Sequence, residues 1–163
     1  MKATTMDMRS KIVLVAVLAV AIVIVGWYCW DSQWRISEPM FGIYLSKSNE
    51  LIISDEDIMW YDGNSHEIKL TSEGARKIQS LEVGVYGEPF VTKINDEEIY
   101  NGSFWTPISS IPYHGIVIEI PFNTNTTTIK LEKGYPLEYF QGADPRGDPR
   151  IFDHFQKIGK LKQ

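Results

Sequence analysis

An uncharged apolar run from Ile12 to Trp30 constrains this chain more than any other feature. At about 1.5 Å per residue, its nineteen residues reach roughly 29 Å as a helix, close to the thickness of a bilayer's hydrocarbon core. A β-branched run this long makes a poor helix in water. In lipid, a lone segment must satisfy its own backbone, and helix is its only solution. A cleaved signal peptide would have a shorter apolar core and end in small residues. This run instead closes on Trp27, Tyr28 and Trp30, with Trp34 beyond, which is the pattern of an interfacial aromatic belt. Trp27 and Tyr28 also stand where a lipoprotein would need small residues before Cys29. The expectation is an uncleaved single-pass anchor (a signal-anchor) over 12–30, with the lipid bilayer as its first partner.

Lys2, Arg9 and Lys11 precede the run, and Asp31, Arg35 and Glu38 follow it. The positive-inside rule then places residues 1–11 in the cytoplasm and the rest beyond the membrane. Residues 31–39 read as a tether, and 40–163 as one extracytoplasmic domain in the cell membrane's outer compartment. Gly26 stands alone, so no Gly-xxx-Gly dimerisation face is expected. The first eleven residues carry +2 of a net −5, leaving −7 for the remainder. Such an acidic domain attracts nucleic acid poorly, and no nucleic-acid partner is expected. The single cysteine allows no internal disulfide, so the domain must stand on packing.

Alternation and turn residues predict an α+β domain, a mixed β-sheet packed by two or three helices. Met40–Leu45 and Glu50–Ile53 read as strands, and Ser54 as the cap of a short helix opening Asp55-Glu56-Asp57. His66–Leu70 alternates as a strand, and Thr71-Ser72-Glu73 caps a helix to about Leu81. Phe90–Ile94 and Ile99–Trp105 read as a hairpin turning at Asn95-Asp96. Gly115–Ile120 and Thr127–Leu131 are further strands. Residues 134–148 read as irregular, and Asp148-Pro149 opens a last helix over 149–160 with Ile151, Phe155 and Ile158 as its apolar stripe.

No catalytic elbow, phosphate loop, dinucleotide fingerprint or zinc-protease spacing is present, so no catalytic residue, no cofactor and no metal ligand is assigned. His66 reads as an exposed strand-start histidine, His114 as a turn residue, and Asp55, Glu56 and Asp57 as acids complementing a helix start. Tyr100, Phe104, Trp105 and Tyr113, with Pro107, form an aromatic cluster. It reads either as a core layer or as an exposed ledge for an extended peptide. Asp144-Pro145-Arg146 and Asp148-Pro149-Arg150 repeat a tripeptide whose Arg146 and Arg150 are candidate partner contacts. Asn101 and Asn125 head glycosylation sequons, usable if the domain is exported to a compartment that glycosylates.

Three segments resemble, in order and spacing, the periplasmic head domain of the SecD protein-export membrane proteins. They are Leu51–Ile58, Glu67–Leu81 with its Glu-Gly-Ala-Arg-Lys helix opening, and Glu88–Ile108 with its hairpin and Pro-Ile. The resemblance covers about residues 43–120. Asp96-Glu97 replaces the family's Asp-Gly turn. Nor has the apolar run an ionisable group with which to conduct protons. The resemblance implies a head-like fold and a surface that touches polypeptide, without the export motor. The expected function is therefore a membrane-anchored binding or accessory domain contacting exported polypeptide or an envelope protein. Two alternatives stand beside it. One is an extracytoplasmic hydrolase built from scattered acids and histidines; the other is a structural envelope protein.

Overall fold

Alternation of buried and exposed side chains sets the strands of residues 39–163, the second of the chain's two units. The computed structural model describes residues 40–120, 125–136 and 139–162. The expected cytoplasmic segment 1–11, anchor 12–30 and tether 31–39 lie outside them. Among the described residues, no helix is long and apolar enough to cross a membrane.

Nine strands form one mixed sheet: β1 Phe41–Leu45, β2 Leu51–Ser54, β3 Ile58–Asp62, β4 Glu67–Leu70, β5 Glu88–Ile94, β6 Glu97–Trp105, β7 Tyr113–Glu119, β8 Thr128–Tyr135 and β9 Leu161–Lys162. Two α-helices, α1 Ser72–Gln79 and α2 Pro149–Lys157, complete an α+β arrangement. The strand order is β2-β1-β5-β6-β7-β8-β4-β3-β9. The β6–β7 and β3–β9 pairs are parallel and the others antiparallel.

This order has a geometric consequence. β2 lies at one end of the sheet and β3 near the other, yet only the 3-10 turn Asp55–Asp57 joins them. The sheet must therefore curl until its ends approach. Phe155 of α2 fills the gap, its ring centroid 5.0 Å from that of Phe41 and 4.9 Å from that of Tyr61. The concave face buries Ile43, Ile53, Phe90, Phe104, Ile118, Ile68 and Leu70 against Ile78 and Ile151 of the helices.

The turn is held by charge. Asp57 Oδ2 accepts from Ser54 N at 2.9 Å, Ser54 Oγ at 3.1 Å and Lys77 Nζ at 2.8 Å. Asp55 Oδ2 accepts from Phe41 N at 2.9 Å, and Lys160 Nζ donates to the carbonyls of Asp55 and Ile58. Burial alone would raise the Asp57 carboxyl. The bonds from Lys77 and Ser54 outweigh it and hold the carboxyl below the usual carboxylate range. α1, capped by the Thr71 hydroxyl on Gly74 N, packs on this turn so closely that a Cβ at Gly74 would meet Asp57 Cβ and O at 2.8 Å.

Several expectations are corrected here. The acids 55–57 open a 3-10 turn, not a helix, because β3 follows at once. β8 continues to Tyr135, into the stretch expected to be irregular from 134. The last helix stops at Lys157 rather than about 160, since Gly159 takes φ +70° and the chain turns into β9.

Replacing Asp57 by Ala should lower stability by about 2–3 kcal/mol, because buried donors and Lys77 lose their acceptor. Gly74→Ala should also destabilise, by about 1–3 kcal/mol from overpacking against a propensity gain near 1. Conversely, Asn95 and Asp96 both adopt positive φ in the two-residue hairpin turn, and Asp96→Gly should add about 1 kcal/mol by relieving that strain. Urea unfolding of each variant checks all three signs.

Candidate functional site

Most of the residues singled out by sequence turn inward. Tyr100, Phe104 and Trp105 are buried, so they form core layers and not an exposed ledge. Tyr100 pairs with Thr92 across β5–β6, and burial pushes its hydroxyl up to about 12. Trp105 lies on the convex face of the sheet, its ring 5.2 Å from Tyr113 and 5.8 Å from Tyr135. Tyr113 is half-buried against it.

The two Asp-Pro-Arg repeats share one geometry. Asp144 Oδ1 accepts from both Arg146 N and Nε, and Oδ2 from Nη2 at 2.6 Å. Asp148 holds Arg150 through the same atoms, at 2.9, 2.9 and 2.6 Å. Each aspartate thus caps its turn and clamps its own arginine. Arg146 is buried and donates a further bond from Nη1 to Leu131 O, so it is a structural residue and not a surface contact. Arg150 is partly exposed but also paired with Glu97.

The histidines are placed apart. His154 is buried, with Nε2 2.7 Å from Asp55 Oδ1. His114 belongs to β7, not a turn, and its Nδ1 meets Tyr139 O. His66 is half-buried rather than exposed, with Nδ1 2.7 Å from Tyr61 Oη. Burial, reinforced by Arg146, lowers its pKa. Among the described residues, no three His, Cys, Asp or Glu side chains cluster closely enough to hold a metal ion. The sequon residues Asn101 and Asn125 are both exposed.

What sequence reasoning missed lies on the convex face. Seven residues, 106–112, connect the parallel strands β6 and β7, fewer than the dozen or so such a crossover usually takes. Tyr135 Oη pins them by donating toward the carbonyls of Pro107 and Ser109. Ser109 Oγ donates to Val85 O at 2.7 Å and accepts from Ile111 N, tying this loop to loop 80–87. Gly87, at φ +75°, presses on Trp105, where a Cβ would come within 2.4 Å of the ring. Over this locked base stand Val85, Tyr86 and Ile108, which are 42%, 80% and 68% exposed. Isolated exposed apolar residues are ordinary; three on two stitched loops form a patch.

A second feature is a cleft of about 570 Å³ lined by Ser65, His66, Lys130, Glu132, Lys133 and Arg146, among others. Against known proteins, the chain matches no family model, no curated sequence and no solved structure.

Hydrogen bonds from Arg146 hold the Asp144 carboxyl at about 2, and Asp57 is also depressed. Both pKa values are lower folded than unfolded. Their stabilisation is therefore full above the unfolded value of about 3.9; that of Asp144 is lost as pH falls toward about 2, and that of Asp57 is lost in the same direction. Urea midpoints should drop between pH 5 and pH 2.5, and Asp144→Asn should make that drop shallower.

Proposed function

We propose that this chain is a single-pass, membrane-anchored accessory domain that binds polypeptide outside the cytoplasm and is not itself a motor. The observation that carries the reading is the patch of Val85, Tyr86 and Ile108 on loops that Ser109 and Tyr135 fix in place. A prelocked surface loses little conformational freedom on binding, and an exposed tyrosine offers a large amphipathic contact. The apolar run 12–30 supports the membrane attachment. The SecD-head resemblance supports the polypeptide partner. Its three segments form β2 with the acidic turn, β4 with α1, and the β5–β6 hairpin, and Asp57 meets Gly74 and Lys77 where the first two touch. The hydrolase alternative calls for convergent histidines, and His66, His114 and His154 have separate partners.

The test is a photo-crosslinking amino acid placed at Tyr86, or at the exposed Met59 of β3 as control, in the full chain in its native membrane. A polypeptide adduct is expected from position 86 and not from 59, and Ile108→Asp should remove most of it. Adducts only between copies of this chain would favour the structural envelope reading. No adduct at 86 would defeat the polypeptide-binding reading.

A further inference from the structure

The apolar surface of Tyr86 and Ile108 has a polar neighbour. Tyr135, whose hydroxyl holds the 106–112 loop through Pro107 O and Ser109 O, also forms one wall of a separate cleft of about 460 Å³. Val117 is part of its floor, and Glu119, Lys130, Glu132 and Pro136 stand around it. Glu119 lies directly across β6–β7 from Trp105, whose ring is 5.8 Å from that of Tyr135. The cleft therefore adjoins the loops that carry the patch, on the same convex face.

Its charges do not cancel. Glu132 is answered by Lys130, whose Nζ is 3.1 Å from Oε1. Lys130 also faces Glu67 across β4–β8, and Lys69, the next cation along that edge, donates to Thr128 Oγ1 at 3.4 Å. Glu119 is left over. It is exposed and, among the described residues, has no hydrogen bond and no ion pair. Partial burial and then the neighbouring Glu132 carboxylate push its carboxyl up, because each disfavours a second negative charge there. A cation brought into the cleft would relieve that repulsion. A long basic side chain could lay its hydrocarbon stem on Val117, Tyr135 and Pro136 and put its charge beside Glu119. The net −7 of residues 12–163 draws such a group from a distance.

Resting on the polypeptide-binding reading above, we infer that this cleft is the subsite for a lysine or arginine side chain of the bound polypeptide, with Glu119 as its counter-ion and the patch of Val85, Tyr86 and Ile108 holding an apolar residue beside it. The partner class is then an apolar segment with a basic residue next to it. Charge at such a rim serves specificity and capture more than raw affinity.

The test uses two synthetic peptides with the same Leu-Phe-Leu core, one followed by arginine and the other by citrulline, which keeps arginine's shape without its charge. Binding to the full chain in nanodiscs of uncharged lipid is read by fluorescence anisotropy, with empty nanodiscs as the blank. The arginine peptide is expected to bind about threefold tighter at low salt, an advantage that shrinks as salt is raised. Glu119→Gln should abolish the advantage. Lys130→Gln should widen it, because Glu132 loses its partner and turns to the peptide. Ile108→Asp should weaken both peptides. Equal affinity for the two peptides, or an advantage that survives Glu119→Gln, would overturn the subsite and leave polypeptide binding standing. Binding of neither peptide would overturn both readings.

Discussion

The Asp57 carboxylate is the constraint on which the rest of this domain depends. It sits between the two ends of a curled sheet and takes three hydrogen bonds, one of them from Lys77 of the helix packed beside it. Charge-assisted bonds of this kind are about twice as strong as neutral ones, and leaving such a group unpaired in the interior costs several kcal/mol. The turn it organises is only three residues long, so β2 and β3 cannot drift apart without breaking it. Asp55 extends the same junction to β1 and to His154, and Lys160 locks it from the far end of the chain. Closure then brings Phe41, Tyr61 and Phe155 together.

The two faces of the sheet do different work. The concave face is covered by both helices and holds the main core. Among the described residues the convex face has no helix on it, and its cover is two loops drawn over Trp105 by side-chain hydroxyls. That difference accounts for the exposure of Tyr86 and Ile108: a loop layer thin enough to bury one tryptophan cannot also hide them. The cleft beside His66 lies at another place, on the open edge of β8, and its lining is polar where the loop surface is apolar.

Much of the fold was legible from local pattern. Alternation located β5, β6 and β7, the Thr71 cap located α1, and Asp148-Pro149 located α2. β3 was missed because a bulge between Ile58 and Trp60 breaks the period of two, leaving Ile58 and Tyr61 inward at a spacing of three. β9 is two residues long and exists only because β3 accepts it, so no local signal marks it. The aromatic cluster was visible but its burial was not, since cover by residues 80–87 depends on a contact between loops distant in sequence. Arg146 carried a visible motif whose purpose is turn capping. The cleft beside His66 joins three separate segments, so no local pattern marks it, and His66 read only as an exposed strand-start residue.

The parallel pairing of β9 with β3 governs how this polypeptide can acquire its structure. Leu161 and Lys162 register against Tyr61 and Asp62, and Lys160 supplies the last donor to the junction. Contacts a hundred residues apart must therefore form before the sheet is complete, which places the domain among slow, high-contact-order folders. As the chain emerges piecemeal from a ribosome, β3 would lack its β9 partner until late. Completion of the sheet has to wait for Leu161 and Lys162 to arrive, and the unfinished intermediate is the form most in need of protection from its neighbours.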